Sequence, residues 1–423
     1  SHEHVFYNQT EYETWKATQP PSDASKWKIK YYKGLGTSTG KEFKEYFQHK
    51  KIVTFKYNKD SSTAALDLVF DKSMADDRKN WLGQFDKTLA LDTSQSEISF
   101  EDFVDKEFIF FSKYDCERNI ANVIDGLKTS QRKILYSAFK RKLTNEIKVA
   151  QFAGYVSEHS LYHHGEMSLN MAIVKLAQEF VGSNNINVLM PNGQFGTRIM
   201  GGGDAASARY IHTQLSPITD LIYPKDDLPL LDYINDDGII VEPKWYCPII
   251  PMVLVNGMVG IGTGFSTTIP QYNPLDCIKN IKRKLNDQPY QTMDPYYRGF
   301  TGKVIKKDSK QFTTNGSYEI VNDKIIITEL PIGKWTDNFK EYIEQEIQKQ
   351  QLEIQKQHLL KLQQERLYLE QLRLQQLDRQ RAEKAAKEGV GYAVSIGLGA
   401  MIGTWIGNFL KSGITKGGPV KKR

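Results

Sequence analysis

The chain has 423 residues, enough for two or three domains rather than one. Hydrophobic residues make up 40% and aromatic residues 11%, which suits packed globular cores, and a net charge of +6 excludes a histone-like polycation while permitting a polyanionic partner. Three cysteines, Cys116, Cys247 and Cys277, lie far apart with no CxxC pair, so neither a disulfide framework nor a zinc site is expected; a reducing compartment follows.

Ser1 opens the chain, and no charged segment followed by an apolar run comes after it, so no signal peptide is expected and the N-terminus reads as cut. Residues 1 to about 334 read as mixed α and β protein. Short apolar or alternating runs predict strands at 52–57, 108–111, 239–242, 249–255 and 324–329, and helical periodicity covers about 131–140 and 165–180. Composition changes near Trp335. From there to Glu388 the chain has neither Gly nor Pro and is dominated by Gln, Leu, Glu, Lys and Arg, which predicts a long helix. Heptad spacing relates Ile347 to Ile354, Leu352 to Leu359, Leu362 to Leu369, and Leu360 to Leu367 and Leu374, but Gln376 interrupts one of these series. A coiled coil and a lone charged helix both remain open. Residues 389–410 carry no charge, and Gly399, Gly403 and Gly407 fall four apart. That predicts a membrane-spanning or membrane-inserted helix, with a glycine-rich apolar segment that packs on protein or is disordered as the alternative, followed by a basic tail over 411–423.

The chemistry concentrates in AASARYIHTQL (205–215), preceded by MPNGQFGTR (190–198), Gly201, Gly202, Gly203 and Asp204. Glycine-rich backbone can approach another backbone closely and turn its donors toward phosphate oxygens. Arg198 and Arg209 flank the loop and suit bidentate phosphate contact. Tyr210 therefore stands as a hydroxyl beside arginines and glycines, the components of phosphoryl transfer to a tyrosine. Without further context, the glycines read first as a plain surface loop.

The order of longer motifs resembles the breakage-reunion region of eukaryotic-type type IIA DNA topoisomerases. KYYKGLGT (30–37) is similar to the end of that family's Toprim domain, and DGLKTSQRKI (125–134) resembles the opening of its winged-helix domain. VAQFAGYVSEHSLYHHGE (149–166), VGSNNINVLMPNGQFGTR (181–198), GGGDAASARYI (201–211) and EPKWYCPIIPMVLVNGMVGIGTGFST (242–267) follow in the family's order. The likeness spans roughly residues 5 to 340. It implies that Tyr210 is the catalytic tyrosine and Arg209 its neighbouring arginine. It further implies DNA contacts from Lys33, Arg132, Lys133, His163, His164 and Arg198, with Ile261 as the apolar wedge that bends the duplex.

The resemblance also implies a double-stranded DNA partner, a homodimer, Mg²⁺ and ATP in the intact enzyme, and a location in the nucleus or in a viral factory. The Toprim glutamate and the Asp-x-Asp cluster that would hold Mg²⁺ do not occur before Lys33, and the ATPase region is absent, so no metal site is assigned within this chain. The resemblance places both in an ATPase–Toprim segment of the intact enzyme, and whether such a segment supplies them to this chain stays open. The expected fold is α+β and multidomain. It comprises the end of Toprim and a linker (1–105), a winged-helix DNA-gate domain (106–270) and part of the tower (271–340). A long helix (341–388), a short apolar helix (389–410) and the tail follow. The competing reading is a catalytically inactive DNA-binding module tethered by its coiled-coil or membrane tail.

Overall fold

A computed structural model describes residues 3–20, 26–32, 35–92, 94–236, 238–308 and 311–387; Lys33 and the apolar 389–410 segment lie outside the described residues. The chain divides into a unit over Ser1–Asn338 and a second over Phe339–Arg423.

The N-terminal part begins with α1 (Gln9–Thr18) and α2 (Gly40–Gln48). A reciprocal cap starts α2: Glu42 accepts from the Thr39 N–H, and Thr39 Oγ1 accepts from the Glu42 N–H at 3.4 Å. The Lys30 ammonium, then the Thr39 amide and the Tyr32 hydroxyl, hold the Glu42 carboxyl down to about 2. The parallel strands β1 (Thr54–Lys56) and β2 (Glu97–Ser99) pair with Thr54 opposite Glu97. Between and after them come α3 (Lys59–Phe70), α4 (Ala75–Gly83) and α5 (Ile109–Asn119), around a core of Ala65, Val69, Trp81, Leu82, Val104 and Ile109. The strand expected at 108–111 is instead helical, a π turn over Val104–Phe108 running into α5. The run is too short for periodicity to separate strand from buried helix. Tertiary packing decides it: Phe108 stacks on Trp81 and Phe110 meets Phe85 edge-on.

The principal core lies among α6 (Thr129–Arg141), α7 (Val149–Ser160) and α8 (Glu166–Ala177). Each helix presents apolar residues three and four apart. Ile134, Leu135 and Ala138 from α6, Phe152, Ala153 and Val156 from α7, and Leu169, Ile173 and Ala177 from α8 are all buried. Lys142, in the left-handed region at φ 51°, closes α6 by donating its N–H to Ala138 and Phe139. Two small antiparallel pairs flank these helices: β3 (Ile147–Lys148) with β4 (His212–Thr213), and β5 (Tyr233–Asp236) with β6 (Ile239–Pro243). The predicted strand at 249–255 does not form. Pro248 and Pro251 remove ladder donors, and a short helix, Met252–Val255, follows Pro251.

A hairpin of β7 (Met258–Gly262) and β8 (Phe265–Ile269) comes next, then α9 (Pro274–Leu285). Two further hairpins pair β9 (Lys303–Lys306) with β10 (Phe312–Asn315) and β11 (Ser317–Val321) with β12 (Lys324–Glu329).

The last element is α10 (Thr336–Lys387), 52 residues with none buried. The predicted long helix is present, but its heptads do not form one seam. At about 100° per residue, nine positions turn by about 180°, which puts Leu352 opposite Ile343. Leu359 stays on the Leu352 side while Ile347 and Ile354 keep to the Ile343 side. Among the described residues no helix is long and apolar enough to cross a membrane.

Candidate nucleic-acid cleavage site

The turn that carries Tyr210 is fixed by the start of α7. The first amides of a helix have no partners within it. Here Val149 N–H donates to the Ile211 carbonyl and Ala150 N–H to the Ala208 carbonyl, both at 3.0 Å. The Tyr210 N–H closes the turn on the Ser207 carbonyl at 2.9 Å. Ile211 drives into the core at 2% exposure, while the Tyr210 side chain stands 70% exposed. The Arg209 guanidinium lies 5.5 Å from the Tyr210 ring centroid, and its Nε donates to Ser207 Oγ at 3.3 Å. An accessible phenol beside a cation, on backbone held at both sides, is the arrangement an in-line attack on phosphate needs.

The preceding glycine loop is closed on itself. The Thr197 N–H and hydroxyl donate to the two Asp204 carboxylate oxygens at 2.8 and 2.7 Å. The hydroxyl first and the amide second hold the Asp204 carboxyl below the usual range. Gly201 and Gly202 both have positive φ, and a Cβ on them would overlap the Trp335 indole and the Gln178 amide respectively. Only glycine satisfies the backbone conformation and the close approach together.

The remaining residues expected at DNA separate into two groups. Arg132, Lys133 and Arg198 are engaged within the protein. Arg132 is buried and bonds both Asp125 carboxylate oxygens at 2.7 and 3.1 Å, and the Leu127 carbonyl at 2.9 Å. Lys133 donates to Glu242 at 2.8 Å and to the Ser160 carbonyl at 2.5 Å. Arg198 pairs with Glu329 at 2.5 Å and donates to the Leu330 carbonyl at 2.7 Å. Where phosphate contact was expected of these three, the structure gives them internal carboxylate partners.

Tyr210, Arg209, His163 and Ile261 are exposed. His163 lies 3.7 Å from Asp236, and the His164 ring nitrogen Nε2 lies 3.1 Å from the Tyr114 hydroxyl. The histidine pair follows the C-terminal end of α7, whereas the Tyr210 turn caps its N-terminal end. Twelve helical residues span about 18 Å, so the two features occupy opposite ends of one helix.

Ile261 projects from the β7–β8 hairpin at 74% exposure. That hairpin is anchored where Thr263 Oγ1 donates to Asp115 at 2.9 Å and where Gly260 lies against the Asn119 backbone. An exposed apolar side chain on an anchored hairpin suits a wedge between base pairs.

Sequence reasoning missed Asp125, Glu242, Gln178, Glu329 and Trp335, the partners that hold these segments. Asp125 stands only seven residues before Arg132, in the same motif, and was the one partner a local reading could have found; the roles of the others depend on contacts across the chain.

Among the described residues no three His, Cys, Asp or Glu side chains are placed to hold a metal ion. The carboxylate set that Mg²⁺ favours is not assembled at Tyr210 by these residues.

Fold and site together define a framework of helices and small β pairs that presents an exposed tyrosine beside an arginine. A family model for the A-type subunit of DNA gyrase/topoisomerase IV matches residues 118–387, and one for the C-terminal associated domain of TOPRIM matches residues 1–116. The first match runs through α10, beyond the resemblance seen in the sequence. DNA topoisomerase 2 of Arabidopsis thaliana is 52% identical over 348 residues, covering 80% of this chain and 23% of the plant protein. DNA topoisomerase 2 of Saccharomyces cerevisiae is 50% identical over 344 residues, covering 80% and 24%. A crystal structure of the Plasmodium falciparum topoisomerase II DNA-binding, cleavage and re-ligation domain matches with TM-score 0.67 and 48% identity, covering 82% of this chain and 47% of that one. The chain belongs to the type IIA DNA topoisomerase family, on its eukaryotic side, and spans about a quarter of the length of these relatives.

Proposed function

We propose that this chain is the DNA-gate portion of a type II DNA topoisomerase and that Tyr210 is its nucleophile. The observation that carries this reading is the exposed Tyr210 phenol beside Arg209, on a turn whose carbonyls cap α7. The phenolic oxygen attacks a DNA phosphorus, the P–O bond to the 3′ oxygen breaks, and a 5′-phosphotyrosyl link forms. The 3′ oxygen leaves with a proton, and the same steps in reverse reseal the strand. The linkage conserves the phosphodiester, so ligation needs no nucleotide. Arg209 supplies positive charge beside the transferring group, and the N-terminal end of α7 adds to the same field.

A two-fold dimer cuts both strands, since one tyrosine serves one strand. Ile261 of each protomer unstacks a base step. Mg²⁺ and ATP belong to an ATPase–Toprim segment outside this chain, and a nuclear location accompanies this role. Membrane contact through 389–410 rests on composition alone.

The test is trapping of covalent protein–DNA adducts on supercoiled plasmid with Mg²⁺ and detergent, using this chain with and without a separately expressed ATPase–Toprim fragment. We expect adducts only with the added fragment, and none with Tyr210→Phe. Adducts that survive Tyr210→Phe would remove Tyr210 from the mechanism.

A further inference from the structure

Residues 329–337 lie against the glycine loop that leads to Tyr210. The Glu329 carboxylate, 6% exposed, is fully engaged. One oxygen meets the Arg198 guanidinium at 2.5 Å and accepts from the Leu330 N–H at 2.9 Å. The other accepts from the Thr301 N–H at 3.0 Å and the Thr301 hydroxyl at 2.9 Å. Burial works against its ionisation, but the Thr301 hydrogen bonds and Arg198 outweigh it and leave the carboxyl below its ordinary range. Arg198 also reaches the Leu330 carbonyl at 2.7 Å, the Asp337 N–H donates to the Ile199 carbonyl at 3.1 Å, and the Trp335 indole covers Gly201. Three loop positions, Arg198, Ile199 and Gly201, are thus held by the strand end and helix start around 329–337. On the other side Gln178 packs on Gly202 and donates to the Phe195 carbonyl at 2.9 Å.

We propose that Glu329 and Trp335 are positioning residues for Tyr210: they brace the 196–204 loop, and through it the residues before Tyr210, so that the nucleophile keeps its place relative to α7. This rests on Tyr210 being the nucleophile. It assigns Arg198 to the brace rather than to DNA. It also gives the first residues of α10 a route to the cleavage site, because a shift at Trp335 or Asp337 is felt directly at Gly201 and Ile199. A small displacement of a reacting group costs rate out of proportion to its size.

The experiment uses the full chain as wild type, Glu329→Gln, Trp335→Leu, and Arg198→Lys as the conservative variant that keeps the charge. Amide exchange of 196–204 is compared with that of α6 and α7, and adduct formation is measured with the added ATPase–Toprim fragment and Mg²⁺. Duplex binding without Mg²⁺ is the control. We expect Glu329→Gln and Trp335→Leu to accelerate exchange in 196–204 while α6 and α7 stay protected. Adduct yield should fall by about 10- to 100-fold with duplex affinity unchanged, and Arg198→Lys should be affected less. Unchanged loop exchange, exchange that rises equally through α6 and α7, or a loosened loop with full adduct yield would each overturn the brace. Loss of duplex affinity with Arg198→Lys would do so too, returning Arg198 to phosphate. Failure of the functional reading shows separately, as adducts that survive Tyr210→Phe, while loop exchange still judges the brace.

Discussion

α6 and α10 are both helices rich in basic residues and leucine or isoleucine, yet they end differently. Five residues of the 13-residue α6 are buried, two of them bearing polar side chains, whereas α10 buries none of its 52. In α6 the apolar residues recur on one face, and the basic residues on its flank find carboxylates: Arg132 meets Asp125 and Lys133 meets Glu242. In α10 they are spread around the axis, so no single neighbour could cover them. Helix propensity makes both helices. A one-sided apolar stripe with partners waiting makes only the first part of a core.

The comparison can be broken most sharply at Asp125, which is fully buried and accepts from Arg132, the Leu127 amide and the Tyr246 amide. Removing one partner strands a buried charge, so Asp125→Ala should lower unfolding stability by about 3–5 kcal/mol in chemical denaturation. A loss under about 1 kcal/mol would mean that Arg132 finds water or phosphate and that α6 resembles α10 after all.

Ile134→Ala, at a side chain with no exposure, should cost about 2–5 kcal/mol, while Ile354→Ala, 65% exposed, should stay within about 0.5 kcal/mol. A large concentration-dependent loss at Ile354 would reveal a partner helix on that side of α10. An effect smaller than that at Ile134 is expected at Glu329, which precedes α10. Its folded carboxyl lies below the unfolded value of about 4.3, so its contribution is present above that pH and is lost as pH falls through the lowered folded value. Wild type should therefore lose stability on acidification more steeply than Glu329→Gln; parallel curves would deny the carboxylate that role.

Much of Tyr210's neighbourhood was legible because it lies within one stretch of chain. Arg209, Tyr210 and the glycines are neighbours in sequence, whereas the caps that the Ala208 and Ile211 carbonyls give α7 join segments far apart in the chain and appear only in the structure. The helices at 131–140 and 165–180 were visible by periodicity, and the structure sets their bounds at Thr129–Arg141 and Glu166–Ala177. Other features needed distant partners. Lys133 looks like a phosphate ligand until Glu242, 109 residues away, is seen beside it, whereas Arg132 finds Asp125 only seven residues back. Arg198 looks like one until Leu330, 132 residues away, closes over it. The aromatic run at 108–111 could alternate as a strand or wrap as a helix, and only Trp81 and Phe85 decided between them.

The sequence by itself determined the family resemblance, the placing of Tyr210 beside Arg209 and the glycines, and the helical character of 336–387, because these depend on local composition, spacing and backbone preference. The tertiary structure decided which arginines and lysines remain open to a polyanion. A buried cation is stable only beside a fixed carboxylate or carbonyl, and for Lys133 with Glu242 and Arg198 with Glu329 that pairing is set by the packing of segments far apart in the chain.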